Sequence, residues 1–510
     1  MSRIFSAPLI AVLSLGVAAP AALAEVTAEQ VWSGWSGYMT GAGYELSATQ
    51  ERSGATLSIR DLTATLPIAK DDSTLTLSMG TVSFTENGDG TVSIKVPANL
   101  PIGLRVTGKE GEKADIGLNY ATEDLAIKVS GDPADMTYSY AANSVEISLQ
   151  DLAIEGKPVD MAKFGTAKVA INDVSGATRI QPGDPRRSVQ QLATGTVAYL
   201  VDVTDPKGGD GHLVVRGGAD GIKLSTDASL PGEMNPEDMR QMLADGFAVD
   251  GSFSVTGGNT TYNFKGGAQA AQGSSRTSEA GLRVTLNRDH LGYAGNLADL
   301  EMSTAGSDLP FPIDLAMKEA SVNLDMPISA KEAKQDFAVA MTLGGFTMSD
   351  MLWGMVDPAG KLPHDPATLA FDISGVVRIF VDLFDPEQMA KVDSGEQMPG
   401  EIHALEIKNL KLSATGAELT GTGAFTFDNT DLKTFQGMPA PSGEVNLRLE
   451  GGNGLLDKLV AMGLVPEDQA NGMRMMLGLF AVPAEGEDAL TSRIEVKANG
   501  HILANGQRIQ

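Results

Sequence analysis

The chain has 510 residues, 58 of them glycine and none cysteine, and its 38 basic against 65 acidic side chains give a formal charge of −27. Without cysteine there is no disulfide scaffold, zinc ribbon, iron–sulfur cluster or thiol nucleophile, and the acid excess excludes the clustered cations that bind nucleic acid. A hydrophobic content of 42% is too high for a disordered acidic polymer, which leaves a large globular protein rich in turns.

Residues 1–24 read as an export signal. Arg3 supplies the basic start, residues 9–17 a short apolar run, and Ala22-Leu23-Ala24 the small-x-small cleavage pattern. Pro20 breaks the run well short of the ~20 residues a membrane span needs, and no later stretch reaches that length. The expectation is cleavage after Ala24, a mature chain with no transmembrane segment, and location in a periplasm, where a protein without disulfides is at home.

Residues 28–44 predict a helix capped by Thr27, with Val31, Trp32, Trp35, Tyr38 and Met39 near helical spacing. Trp32 and Trp35 either dock the helix onto a core, the commoner use of large aromatics, or touch a lipid or a partner. From Thr56 the period becomes two. Leu57 and Ile59, Leu75 to Met79, Val92 to Val96, Ile116 to Tyr120 and Val145 to Leu149 alternate with Ser, Thr, Lys or Gly, which marks strands with one apolar face. Turn signals such as Asn87-Gly88-Asp89-Gly90 every 8–14 residues predict antiparallel hairpins rather than βαβ units. Later strands are expected around 169–171, 197–203, 213–215, 253–255, 282–286, 322–326 and 337–343.

Three short helices follow from cap signals. One begins at Asn235-Pro236, one at Ser349 and one at Asp385-Pro386. Residues 454–480 predict a helical hairpin, broken at Pro466 and rich in methionine, and residues 493–506 a terminal β-hairpin. A boundary near 344–368 divides the mature chain into residues 25–345 and 346–510. The fold class expected is mainly β: a long curved antiparallel meander, in one sheet or more, with a few short helices, forming an apolar groove or tube.

Catalytic patterns are missing. The five histidines, His212, His290, His364, His403 and His501, form no His-x-x-x-His spacing, and there is no nucleophile elbow or phosphate loop. Oxygen-rich loops at 86–90 and 205–211 lack the closing glutamate of a calcium loop and fit tight turns better. No metal, cofactor or catalytic residue is assigned. A hydrolase using scattered acids with His364 or His403 is the weakest reading.

Trp32 and Trp35, the strand succession, Leu362-Pro363-His364-Asp365-Pro366-Ala367 before Leu369-Ala370-Phe371-Asp372-Ile373-Ser374-Gly375, and the methionine-rich helix before the last hairpin together resemble domain-of-unknown-function family 2125. These are exported alphaproteobacterial proteins with no established catalytic residues to carry over. The one-sided alternation is more loosely similar to AsmA-type and tubular lipid-binding envelope proteins, which implies an acyl-chain groove. An apolar face this long exceeds what the few helices can cover, and open sheets rarely pass ~10 strands without curling, splitting or being covered. The expected function is therefore a non-enzymatic periplasmic protein that binds or carries a lipid or another apolar envelope component. Its apolar contacts would be Trp32, Trp35, Met473, Met475 and Met476, although such methionines more often fill a core. The alternative is a structural module pairing with envelope proteins through exposed strand edges.

Overall fold

The computed structural model describes residues 25–68, 73–109 and 111–510. The expected leader, 1–24, lies outside them. The chain is 60% strand and 13% helix, and its 30 described strands join in one antiparallel sheet. The first strands are β1 (Glu45–Ser53), β2 (Thr56–Ile68), β3 (Ser73–Met79), β4 (Val82–Glu86), β5 (Val92–Lys95), β6 (Asn99–Thr107), β7 (Lys113–Glu123), β8 (Ala126–Asp132) and the long β9 (Asp135–Ile154). One half of β2 pairs with β3 and the other with β4. Two parallel lanes of short strands then run side by side. Lane one is β4-β5-β8 and lane two is β3-β6-β7, and both rejoin on β9.

The device repeats. After β10 (Lys157–Pro158) come β11 (Gly165–Gln181), β12 (Arg186–Ala193), β13 (Thr196–Thr204), β14 (His212–Asp220), β15 (Lys223–Leu230), β16 (Ala248–Val255), β17 (Gly257–Gly266), β18 (Gln269–Thr277), β19 (Glu279–Leu286) and β20 (His290–Gly306). Lane one continues from β11 as β12-β15-β16-β19 and lane two as β13-β14-β17-β18, and both end on β20. A simple meander, as expected for the whole chain, holds only from β20 onward. It comprises β21 (Ile313–Pro327), β22 (Gln335–Met348), β23 (Ala367–Ile379), β24 (Gly400–Ala414), β25 (Ala417–Asp428) and β26 (Ala440–Glu450). The short β27 (Val482–Pro483), β28 (Ala489–Val496), β29 (Ile502–Ala504) and β30 (Gln507–Arg508) close the sheet order.

Where the lanes meet, the long strands carry an aspartate in the left-handed region: Asp61 (φ 51) in β2, Asp173 (φ 53) in β11 and Asp299 (φ 48) in β20. Aspartate is among the few non-glycine residues that visit this region. Each sits between apolar residues three apart: Ile59 and Leu62, Ile171 and Val174, Leu297 and Leu300. A spacing of three would turn one of each pair to the wrong face of a regular strand. The left-handed residue absorbs the odd step, and Ile59 and Leu62 are buried in one core cluster on either side of Asp61. Asp61→Val is expected to destabilise the fold by about 1–2 kcal/mol, because a β-branched residue does not tolerate this backbone. Asp61→Gly should be nearly neutral. Equilibrium denaturation of the two variants checks the difference.

Seven helices punctuate the described sheet: α1 (Ala28–Gly41), α2 (Met161–Phe164), α3 (Met239–Ala244), α4 (Asp350–Val356), α5 (Pro386–Asp393), α6 (Gly452–Ala461) and α7 (Glu467–Phe480). α1 has the expected start, a capping box in which Thr27 and Gln30 bond each other's backbone. α3 begins later than expected. Asp238, not Asn235, caps it, because Asn235 spends its side chain on a turn with Glu237 N. No described helix is long and apolar enough to cross a membrane. The chain exposes 29594 Å², against about 18,000 Å² for a compact protein of its 53.2 kDa. A single sheet with seven helices among its described residues leaves more surface open than a closely layered fold does.

Candidate functional apolar face

In an antiparallel ladder, directly paired residues share a face. Following the pairs through lane one gives Leu57, Phe84, Ile94, Ile127, Tyr140, Gly176, Leu192, Leu224 and Phe253 on consecutive strands. The same row continues through Leu282, Gly295, Val322, Met341, Phe371, Leu410, Gly421 and Leu447. No polar side chain apart from the Tyr140 hydroxyl interrupts it. At about 4.8 Å per strand the row is on the order of 75 Å long. The residues between its members face the other way and include charged pairs. Arg187 pairs with Asp227 and Arg283 with Asp250, both at 2.7 Å. Asp227 and Asp250 lie directly opposite each other, and the Arg187 guanidinium holds the Asp227 carboxyl below its usual range.

Helices meet the sheet toward both ends: α6 packs against β25 at the far end. α1 lies over the first strands, where Phe84 is 0% exposed and meets the Trp32 ring at 6.2 Å and the Trp35 ring at 5.4 Å. Both tryptophans therefore dock the helix, with Trp32 buried and Trp35 packed against the cluster. The cover ends at Tyr38, whose ring carries the Arg186 guanidinium at 4.2 Å. A cavity of about 250 Å³ opens there, lined by Tyr38, Met136, Tyr138, Ile180, Leu230 and Met234. Burial pushes the Tyr138 phenol up to about 12. Beyond this point every side chain of the row from Leu192 to Leu447 is at least partly accessible, and Phe253 is 40% exposed.

Four aromatic rings lie across the strand next to their own, each over a directly paired glycine. The pairs are Tyr140 on Gly176, Tyr199 on Gly217, Tyr262 on Gly273 and Phe337 on Gly375. A Cβ at Gly176 would come within 2.6 Å of the Tyr140 ring, and one at Gly375 within 2.5 Å of the Phe337 ring. The tyrosines are tied down at their far ends. Tyr140 donates to Gln191 O at 3.4 Å, and hydroxyl–hydroxyl bonds join Tyr199 to Thr260 at 2.5 Å and Tyr262 to Thr304 at 2.6 Å. Each tyrosine thus spans three strands and lies low on the sheet.

The three methionines are at the other end of the sheet, on α7, so the five expected contacts do not form one site. Met473, Met475 and Met476 do not fill a core: Met475 is 70% exposed, and Ala470 is the one buried residue of α7. The helical period is readable in the sequence, but the methionines it carries have little packed on them. α4 adds the exposed Met351 and Met355. It is held by the 357–366 loop, where Asp357 is buried and accepts from Leu362 N at 2.6 Å. His364 stacks on Trp353 at 4.4 Å.

The Leu362 backbone bond holds the Asp357 carboxyl below its usual range. A depressed carboxyl contributes stability above its unfolded value, ~3.9, and loses it as pH falls through the folded value. Trp353 emission should therefore be constant from pH 7 to about 4 and shift below that. Asp357→Ala should show the shifted emission, and proteolytic cutting in 357–366, already at neutral pH. Unchanged Trp353 emission and unchanged proteolysis in Asp357→Ala at neutral pH would count against this role.

Three of the remaining histidines each pair with a carboxylate, His212 with Asp202 at 2.8 Å, His290 with Asp325 and His403 with Glu401. His403 lies 3.0 Å from the Glu401 carboxylate, which Arg378 also meets at 3.1 Å, far along the chain from the His364–Trp353 stack. No group of three acidic, histidine or cysteine side chains suited to a metal occurs among the described residues. The 87–91 and 205–211 loops are turns, with Asp89 and Asp205 accepting from the backbone two residues on.

No functionally curated protein matches the chain. A family model described as uncharacterized protein conserved in bacteria (DUF2125) matches residues 247–503. That match takes in β16 to β28, both methionine-bearing helices and much of the open part of the apolar row, and with it the chain belongs to the DUF2125 family.

Proposed function

We propose that the protein is an exported, non-enzymatic carrier that holds a lipid or a similar apolar envelope component on the open face of its sheet. The observation that supports this is the unbroken apolar row, packed under α1 at one end and accessible from Leu192 to Leu447. Contiguous exposed apolar patches beyond a few hundred Å² are rare on monomers and mark binding surfaces. A ligand contacting several strands at once would gain roughly 25 cal/mol for each Å² of apolar surface it covers. The leader sequence supports a periplasmic location for this carrier.

Mass spectrometry of the full chain purified gently from its native envelope fraction tests the reading. Copurified lipid, lost from a variant with Phe253, Leu282 and Val322 replaced by aspartate, is the expected result. A well-folded protein free of lipid, joined instead by a stoichiometric protein on the same face, would favour the interaction-module reading. The outer edge of β1 carries Glu45, Glu51 and Arg52, charges that discourage strand addition, so the apolar face is the better surface for either role.

A further inference from the structure

We propose that the cavity of about 250 Å³ at the end of α1 is a binding site, separate from the open row, for a small carboxylate with a compact apolar body. Arg186 and Tyr138 hold the charged end. The register puts the site on one face, at the ends of β9, β11, β12 and β15, where Met136 pairs with Ile180 and Arg186 with Leu230. Met136, Ile180, Leu230 and Met234 make the wall apolar. Two strong donors stand in that wall without an oxygen acceptor. No described carboxylate pairs with Arg186, although the chain has 65 acidic side chains. Its Nε is buried with no hydrogen-bond partner, and its guanidinium rests on the Tyr38 ring. Asp184, two residues away, spends its carboxylate on Gly232 N at 3.0 Å. Tyr138 is 6% exposed, and its hydroxyl meets the Met136 Sδ at 3.8 Å, a weak acceptor. Buried groups of this kind ordinarily find oxygen partners. Burial raises the Tyr138 phenol and the Arg186 charge pulls the other way, so the phenol stays protonated with the guanidinium near it. A planar carboxylate matches the guanidinium fork, whereas a phosphate dianion would find one cation and an apolar wall. About 150 Å³ is enough for benzene, so this volume takes one substituted ring or a short branched chain and not a long acyl chain. α1 leaves the room: Gly34, Gly37 and Gly41 line the cavity at helical spacing, although glycine weakens a helix. A Cβ at Gly37 would meet nothing within 4 Å.

The test is isothermal titration calorimetry of the full chain with benzoate, isovalerate, acetate, benzamide and inorganic phosphate. Benzoate and isovalerate should bind. Acetate, which lacks the apolar body, benzamide, which lacks the charge, and phosphate should each bind at least about tenfold more weakly. Arg186→Met keeps an apolar stem against Tyr38 and should weaken benzoate binding at least about tenfold, and Tyr138→Phe at least about threefold. Gly37→Leu should fold with an unchanged or raised melting temperature and lose binding, because its side chain occupies the cavity. If Arg186→Met does not fold, Tyr138→Phe and Gly37→Leu make the same test. Equal affinity for benzoate and benzamide, wild-type affinity in folded Arg186→Met or Gly37→Leu, or no binding of either larger acid at millimolar concentration would overturn the inference. Each of these results leaves the carrier reading standing, since none involves the open row.

Discussion

Phe84→Ala should cost about 3–5 kcal/mol, whereas Phe253→Ala, a truncation of the same residue type in the same cross-strand row, should cost less than about 1 kcal/mol. Phe84 is fully enclosed by α1, with both tryptophan rings against it, so truncation leaves a cavity in a packed cluster. Phe253 is 40% exposed, with Leu224 and Leu282 beside it on the neighbouring strands. Truncation there removes contacts but opens no void. Urea denaturation followed by circular dichroism, with tryptophan emission reporting the α1 cluster, measures both. Equal losses for the two variants would mean that something covers the face along its whole length.

The second large effect concerns binding. Leu282→Asp and Val322→Asp place a carboxylate on the open row, where each side chain already meets water, so both variants should fold with little loss of stability. A ligand covering either position must then desolvate a charge, which costs several kcal/mol. Affinity for an apolar probe such as a fluorescent fatty acid should fall at least about thirtyfold. Arg283→Ala, one residue away on the opposite face and paired with an exposed Asp250, should leave it unchanged, since exposed ion pairs contribute ~0–1 kcal/mol. An equal response of the two faces would argue that the probe does not bind along the row.

Much of this architecture is legible in the residues. Alternation between Leu57 and Leu149 marks one-sided strands, the Thr27 box starts α1, and Asp385-Pro386 starts α5, with Asp385 accepting from Glu387 N and Gln388 N. The two-lane order is not legible, because a period of two tells which face a residue takes and not which strand lies beside it. β18, Gln269–Thr277, is missed since it has no large apolar residue to alternate. β11 is seen only around 169–171, since its apolar positions change parity at Asp173. That change has a signal: Ile59-Arg60-Asp61-Leu62, Ile171-Asn172-Asp173-Val174 and Leu297-Ala298-Asp299-Leu300 share a pattern of apolar, any, aspartate, apolar. The candidate contacts differ in legibility. Trp32 and Trp35 read more readily as docking residues and are docked, while the row itself is assembled from residues up to 390 positions apart (Leu57 and Leu447) and emerges only from the register.

The proposed carrier role places an apolar ligand on the open row. The most direct test is photolabelling of the full chain with a diazirine-bearing fatty acid, followed by peptide mapping. Labels are expected at Leu192, Leu224, Phe253, Leu282, Val322 and Met341, along the row and competed by unlabelled fatty acid. Labels confined to the exposed methionines of α7, or spread equally over the charged face at Arg187 and Arg283, would contradict it.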